Sequence, residues 1–364
     1  MRPLLLASLL VFTAGCAAHH RAPPIGQRLP RRGDEIMVCG QLYHTGAPVV
    51  LWTDPGGYDA YRTERRFVPW EVASFEQSKV DSPNRYGVRF APATPGARRQ
   101  PARPTGGGAT LTAEQFEEVR GGGWPLELLQ QKVDQFVFHY DVCDTSRGCF
   151  RTLQDDRGLS VHFMLDLDGT IYQTLDLKER AWHATESNNR SIGIEICNIG
   201  AYPARARATL DTHYEKDAQG RTRIVLPMRA EHDVRTPGFV GRPARDRAVT
   251  GTVQGEELSM YDLTAQQYDS LIKLTATVCT VLPRIGADYP RDARGKLITR
   301  VLDDAQWENF HGLLGHYHVQ ANKQDPGPAF QWDKVVGGVR RLLRKPSLPP
   351  GDTINESGTT AAAE

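Results

Sequence analysis

The chain of 364 residues has almost no surplus of charge. Lysine and arginine total 44 against 43 aspartates and glutamates, a formal net charge of +1. So close a balance leaves no overall field to gather nucleic acid or an acidic partner, and no nucleic-acid partner is expected. Long apolar runs are missing too. After the first twenty residues nothing approaches the ~20 apolar residues that a membrane-spanning helix needs. Cysteine is modest at 6, and what that number means depends on the redox compartment. Residues 91–108, APATPGARRQPARPTGGG, hold no large apolar side chain and predict a linker. What remains is ordinary globular composition, 40% hydrophobic and 24% charged. The length suits one large domain or two ordinary ones.

The first twenty residues, MRPLLLASLLVFTAGCAAHH, carry one early Arg, an apolar run from Leu4 to Ala14, and then small residues. The run is too short to span a bilayer and reads as a secretory segment. Thr13-Ala14-Gly15-Cys16 resembles the bacterial lipoprotein signal, in which the Cys becomes the lipidated first residue. Thr13 stands where Leu is usual. This reading implies a signal peptide over 1–16 and an exported chain. Acyl chains on Cys16 would hold it in the envelope, at an outer membrane facing the periplasm. The alternative is plain secretion, with cleavage between Ala14 and Ala18.

Residues 17–90 read as β-rich. EIMVCGQLY and PVVLWTD, separated by HTGA, predict a hairpin. A second unit spans 109–345. LTAEQFEEVR predicts a short helix, DQFVFHY a buried strand, and SVHFMLDLDGTIYQTL a hairpin turning at Asp168-Gly169. SIGIEICNIG is another short apolar strand. Residues 203–257 are polar and read as an insertion, with a hairpin-like piece around Asp217 and Gly220. DLTAQQYDSLIKLTATVCTVL is an amphipathic helix with Thr264 and Gln267 as a capping box. Tyr268, Leu271, Ile272, Thr275, Cys279 and Leu282 share its buried face. A last helix follows Pro328 and ends near Leu343, and 346–364 reads as a disordered tail. Strands alternating with helices predict an α/β fold.

The chemistry gathers in a few short runs. Residues 313–332, LLGHYHVQANKQDPGPAFQW, place His316, His318, Lys323 and Asp325 ahead of a stiff Pro-Gly-Pro turn. His316 and Asp325 make half of a metal site, and a catalytic zinc would need at least one more protein ligand. His139 is the candidate. It ends the apolar strand Phe136-Val137-Phe138, at the carboxyl edge where α/β proteins place their sites. Glu195 lies inside an apolar strand, where an unpaired charge costs several kcal/mol to bury. Ile192, Ile194 and Ile196 take one face, which leaves Gly193 and Glu195 on the other, as a cleft floor. Pointing Glu195 to solvent is the plainer alternative.

FVFHYD, SVHFMLDLDGTIYQ, AWHATESNNRSIGIEI and GHYHVQANKQDPGP, in that order over residues 132–336, strongly resemble the zinc-dependent N-acetylmuramoyl-L-alanine amidases. This is the type-2 family, related to a phage lysozyme and to the peptidoglycan recognition proteins. The resemblance implies a central mixed β-sheet flanked by helices, with Zn2+ at one edge held by His139, His316 and Asp325. It implies Glu195 as general base and Lys323 as the ammonium that stabilises the oxyanion. His183 and Asn189 would line a groove for peptidoglycan or muropeptides. Hydrolysis of the amide between N-acetylmuramic acid and L-alanine is the implied activity.

This chain departs from the family at several places. It has His139-Tyr140-Asp141 where His-His-Thr is common, and the 203–257 insertion is long. YHTG at 43–46 mimics the ligand motif without the segments that follow it, so His44 is read as a turn residue. His318, two residues from His316, is left without a role. Cys143 and Cys149 are six apart, as is a pair in animal peptidoglycan recognition proteins. A disulfide is expected, with two reduced, partly buried thiols as the alternative. Two rival functions stand beside the amidase: a peptidoglycan-binding module of the same fold, and an iron oxygenase whose facial triad would be His139, Asp141 and His316.

Overall fold

The computed structural model describes residues 31–62, 112, 114–115, 118, 124–230 and 232–344. The signal peptide with Cys16, the 91–108 linker, most of the helix expected in LTAEQFEEVR, and the tail lie outside these residues. Along the chain, β1 is Glu35–Val38, β2 Gln41–His44, β3 Val49–Leu51, β4 Gln135–Tyr140, β5 Phe163–Leu165, β6 Ile171–Gln173 and β7 Ser191–Ile196. Further on come β8 (Tyr202–Pro203), β9 (Tyr214–Lys216), β10 (Thr222–Ile224), β11 (Val249–Val253), β12 (Glu256–Met260) and β13 (Gly312–Gly315).

A six-stranded mixed sheet in the order β13-β4-β7-β5-β6-β3 forms the centre. β13, β4, β7 and β5 are parallel, β6 turns back antiparallel at Asp168-Gly169, and β3 runs parallel to β6. Gly169, at φ +85°, supplies the left-handed residue of that turn. One face of the sheet carries Phe136, Phe138, Phe163, Leu165, Ile192, Ile194 and Ile196 into a common core. Helices Ala265–Val281 and Trp332–Leu343 cover it, packed on each other. The expected capping box is present: Thr264 Oγ1 accepts Gln267 N–H at 3.0 Å, and Gln267 Oε1 accepts Thr264 N–H at 2.9 Å. The α/β class and flanking helices are as the sequence predicts.

Two expectations about the N-terminal segment are corrected. The hairpin does not turn at HTGA. It turns at Cys39-Gly40, both with positive φ (50° and 76°), the conformation a two-residue hairpin loop needs. Asp176 fixes that turn by accepting both backbone N–H groups at 2.7 Å. PVVL, freed from the hairpin, becomes β3 and pairs with β6, with Val49 opposite Ile171. Residues 33–62 therefore belong to the same compact unit as 124–344 and are not a separate β module. The insertion is also more ordered than its composition suggests. β9 and β10 form the hairpin expected at Asp217–Gly220. β11, β12 and β8 form a three-stranded sheet, so position 257 falls inside a strand rather than at a boundary.

Candidate metal centre and active-site cleft

β13, β4 and β7 end level with one another. Gly315 pairs with Phe138, so His316 and His139 leave adjacent strands side by side, and His139 itself pairs with Glu195. Alternate side chains share a face. His139 and Glu195 therefore point away from the core face, over Val137 and Gly193. Asp325 arrives from the loop after the short helix His316–Val319, tied back where its carbonyl accepts Tyr317 N–H at 3.1 Å. The loop then turns at Gly327, φ +82°. A Cβ there would sit 2.5 Å from Met260 Sδ, so only glycine fits.

Three donor atoms converge. His139 Nδ1 and His316 Nδ1 are 2.9 Å apart, and Asp325 Oδ2 lies 2.8 Å from the first and 2.9 Å from the second. The three residues are 2%, 5% and 7% exposed. The outer ring nitrogens fix the tautomers. His316 Nε2 is 2.6 Å from Gln320 Oε1, which only accepts, so Nε2 holds the proton and Nδ1 offers a lone pair. His139 Nε2 meets His183 Nδ1 at 3.0 Å, and His183 Nε2 meets Ser191 Oγ at 3.4 Å. A proton on each Nε2 satisfies that chain and leaves His139 Nδ1 bare. Two lone pairs and a carboxylate facing one another repel until a cation lies among them. Two imidazoles and one carboxylate, with their outer nitrogens anchored, are the donor set of a catalytic zinc, and these residues fit one.

The electrostatics follow the same plan. Burial, then the neighbouring His316, pushes His139 down to about 4. Burial works to protonate Asp325, but imidazoles that carry a proton on the facing nitrogen would outweigh it and hold the carboxyl far below the carboxylate range, the position a cation takes when both Nδ1 atoms are bare. Glu195 moves the other way: burial, then the negative charge of Asp325, pushes it well above its usual value, against the pull of Lys323 and Arg157. Gly193 has a steric reason to stand beside it. A Cβ there would lie 2.6 Å from the ring of His183, so the missing side chain is the space in which His183 supports His139.

A cleft of about 620 Å³ brings together His139, His316, Asp325, Glu195, Lys323 and His183. Asn189 is not among its lining residues. Asn189 is buried at the end of the turn Thr185–Asn189, and its Oδ1 accepts Arg180 Nε–H at 2.8 Å. Cys143 and Cys149 do line the cleft, side by side, but as free thiols rather than the expected bridge. The facial-triad alternative fails on geometry. Asp141 turns from His139 and uses Oδ1 to accept Cys143 N–H and Asn198 N–H, while Asp325 takes its place. His318 is buried facing away: Nδ1 accepts Gly315 N–H and Nε2 donates to Ile298 O. His44, at the end of β2, pairs with Asp34. Three residues went unnoticed in the sequence. Gln320 had a readable signal, its i+4 spacing from His316, and Trp182 adjoins His183. Arg157, in a polar loop, had none.

Fold and site together define a mixed α/β protein with a buried His-His-Asp centre at the carboxyl edge of its sheet. The chain belongs to the N-acetylmuramoyl-L-alanine amidase family (Amidase_2), whose profile matches residues 129–328. No curated protein matches it. Similar solved structures include a selenomethionine derivative of AmpD, at 16% identity over 57% of this chain and 86% of that one, TM-score 0.28. Another is the endolysin amidase LysCS from Clostridium intestinale, at 16% over 58% and 86%, TM-score 0.31. A third is AmiD from E. coli, solved with an anhydro-N-acetylmuramic acid peptide, at 19% over 60% and 59%, TM-score 0.30.

Proposed function

We propose that this protein is a zinc-dependent amidase that cleaves the bond between N-acetylmuramic acid and L-alanine in peptidoglycan or muropeptides. Membership of the family supports the reaction. The observation that carries the zinc requirement is the meeting of His139 Nδ1, His316 Nδ1 and Asp325 Oδ2 within 2.9 Å in a buried cleft. Zinc, when bound, polarises a carbonyl and acidifies a water. Glu195, on the cleft floor with a raised pKa, takes the proton of the attacking water and delivers it to the leaving amine. The ammonium of Lys323 offsets the charge that grows on the carbonyl oxygen. Gln320 and His183 hold the two imidazoles with their lone pairs turned inward.

Purified peptidoglycan digested with the protein should yield new lactyl groups on muramic acid and new L-alanine amino termini. Chelation should stop this, and His139→Ala, His316→Ala and Asp325→Ala should each lose stoichiometric zinc. A chain that holds zinc and binds muropeptide without releasing either end is a binding module instead. The proposed address is the cell envelope, with acyl chains on Cys16. Cys16→Ser should release the protein from membranes, and wild-type protein found wholly in the soluble periplasm would rule the anchor out.

A further inference from the structure

Hydrolysis leaves one group of donors in the cleft unused. Asp141, Cys143 and Cys149 all line it, and one carboxylate oxygen and the two sulfurs lie within 4.8 Å of one another. The backbone has been bent to bring them there. Val142, a β-branched residue, sits at φ +50°, in the left-handed region such residues avoid, and is 57% exposed. That turn sets Asp141 and Cys143 against the short helix Ser146–Arg151, whose buried face carries Cys149. Thr145 caps the helix, accepting Gly148 N–H at 3.2 Å.

The carboxylate is satisfied on one side only. Asp141 Oδ1 accepts Cys143 N–H at 2.9 Å and Asn198 N–H at 3.2 Å. Its Oδ2 is buried and has no hydrogen-bond partner among the described residues, in a residue only 7% exposed. A buried oxygen left without a partner is costly, more so if it is charged, and a cation would relieve it. Cys149 is 2% exposed and Cys143 half-buried. The third sulfur nearby is already committed, since Cys197 donates to the carbonyls of Cys143 and Asp144.

We propose that Asp141, Cys143 and Cys149 form a second divalent-metal site, of zinc-like borderline-soft character, distinct from the His-His-Asp centre and opening on the same cleft. In a tetrahedral site with bonds of about 2.3 Å to sulfur and about 2.1 Å to oxygen, donors stand roughly 3.4–3.8 Å apart, within reach of the present cluster. The backbone N–H groups on Oδ1 aim Oδ2, as outer contacts do for metal-bound carboxylates. Binding releases the two thiol protons, together with any proton held on the buried Asp141 carboxyl, to solvent as one metal ion enters. A fourth position faces the cleft.

Cobalt(II) alone, added to the reduced, metal-stripped full chain, tests the site. The His-His-Asp centre has no sulfur, so only the second site gives sulfur-to-cobalt charge-transfer absorption. Two cobalt ions per chain, that band, and protection of Cys143 from alkylation by cobalt are expected from the wild type, without any variant. Cys143→Ser or Cys149→Ser should remove the band and leave one cobalt. Asp141→Asn should weaken the second site at least ~10-fold. One cobalt per chain without the band overturns the proposal. So does a Cys143–Cys149 disulfide that, once reduced, still gives thiols that take up no metal.

Discussion

β4 and β7 lie side by side, and their two ends are built on opposite principles. At the entering end every charge is answered. Arg190 grips Asp134 with two parallel bonds, Nε to Oδ1 at 2.6 Å and Nη2 to Oδ2 at 2.8 Å. Its Nη1 donates to Glu308 O at 2.9 Å, and its guanidinium lies over Trp307. Arg284 and His311 close on the same carboxylate. At the leaving end the donors face one another unanswered: His139 against His316 and Asp325, Glu195 raised by burial and by Asp325, and Asp141 with one oxygen unpaired. The same strands thus carry a closed ion-pair anchor and an open centre. Crowding that a stabilising contact would avoid marks where a cation and a substrate belong.

The difference can be tested end by end. The largest effect should come from Glu195→Gln, which keeps shape and hydrogen bonding but removes the base. The variant should fold and hold its zinc, yet cleave the lactyl–L-alanine amide ~10²–10⁴-fold more slowly. A kcat within a few-fold of wild type would remove Glu195 from the mechanism, and loss of zinc would make it a structural or ligating carboxylate. At the other end, Arg190→Ala leaves Asp134 buried with weaker partners and should cost about 3–5 kcal/mol in denaturant unfolding, with zinc binding by the folded fraction unchanged. A cost below ~1 kcal/mol would mean that Arg284 and His311 suffice.

A smaller effect tests the interior between the ends. Burial pushes His318 down to about 3 and His162 down to about 4. Both rings are neutral in the fold, whereas unfolded rings take up protons below about 6.5. The unfolded state therefore binds more protons as pH falls, and stability is lost from about 6.5 downward toward those folded values. At its full extent the loss is about 5 kcal/mol for His318 and about 3 kcal/mol for His162. Unfolding free energies at about pH 7 and about pH 5 should differ in this direction. A flat profile would show that these rings hydrate without unfolding.

Much of this was legible in order along the chain. The alternation in SIGIEI placed Ile192, Ile194 and Ile196 in the core and Glu195 in the cleft, because a strand's period of 2 is a local property. Thr264 and Gln267 announced a helix start, and Asp168-Gly169 a turn, for equally local reasons. The N-terminal hairpin was misplaced because Cys39-Gly40 and HTGA both offer turn chemistry, and the choice rests on Asp176, 136 residues away from Gly40. β3 gave no sign of its partner, since three apolar residues fit any open edge. Only the resemblance put Asn189 in the groove with His183, and the turn Thr185–Asn189 buries that side chain on Arg180 instead of leaving it open.

The sequence by itself determined which donors are available and which strand or loop carries each: His139 at the end of one apolar strand, Glu195 inside another, and His316 and Asp325 on a loop stiffened by Pro326 and Pro328. Only the tertiary structure decided that they meet. Parallel pairing brings Gly315 level with Phe138 and His139 level with Glu195, and the Tyr317–Asp325 backbone bond folds the loop over them. It also decided that Asp325 joins the two imidazoles while Asp141 turns to the thiols of Cys143 and Cys149. The reason is physical. Residue type and local period are written into the chain. Register between strands is set by which faces the whole core buries, and a slip of one residue would turn His139 and Glu195 into that core.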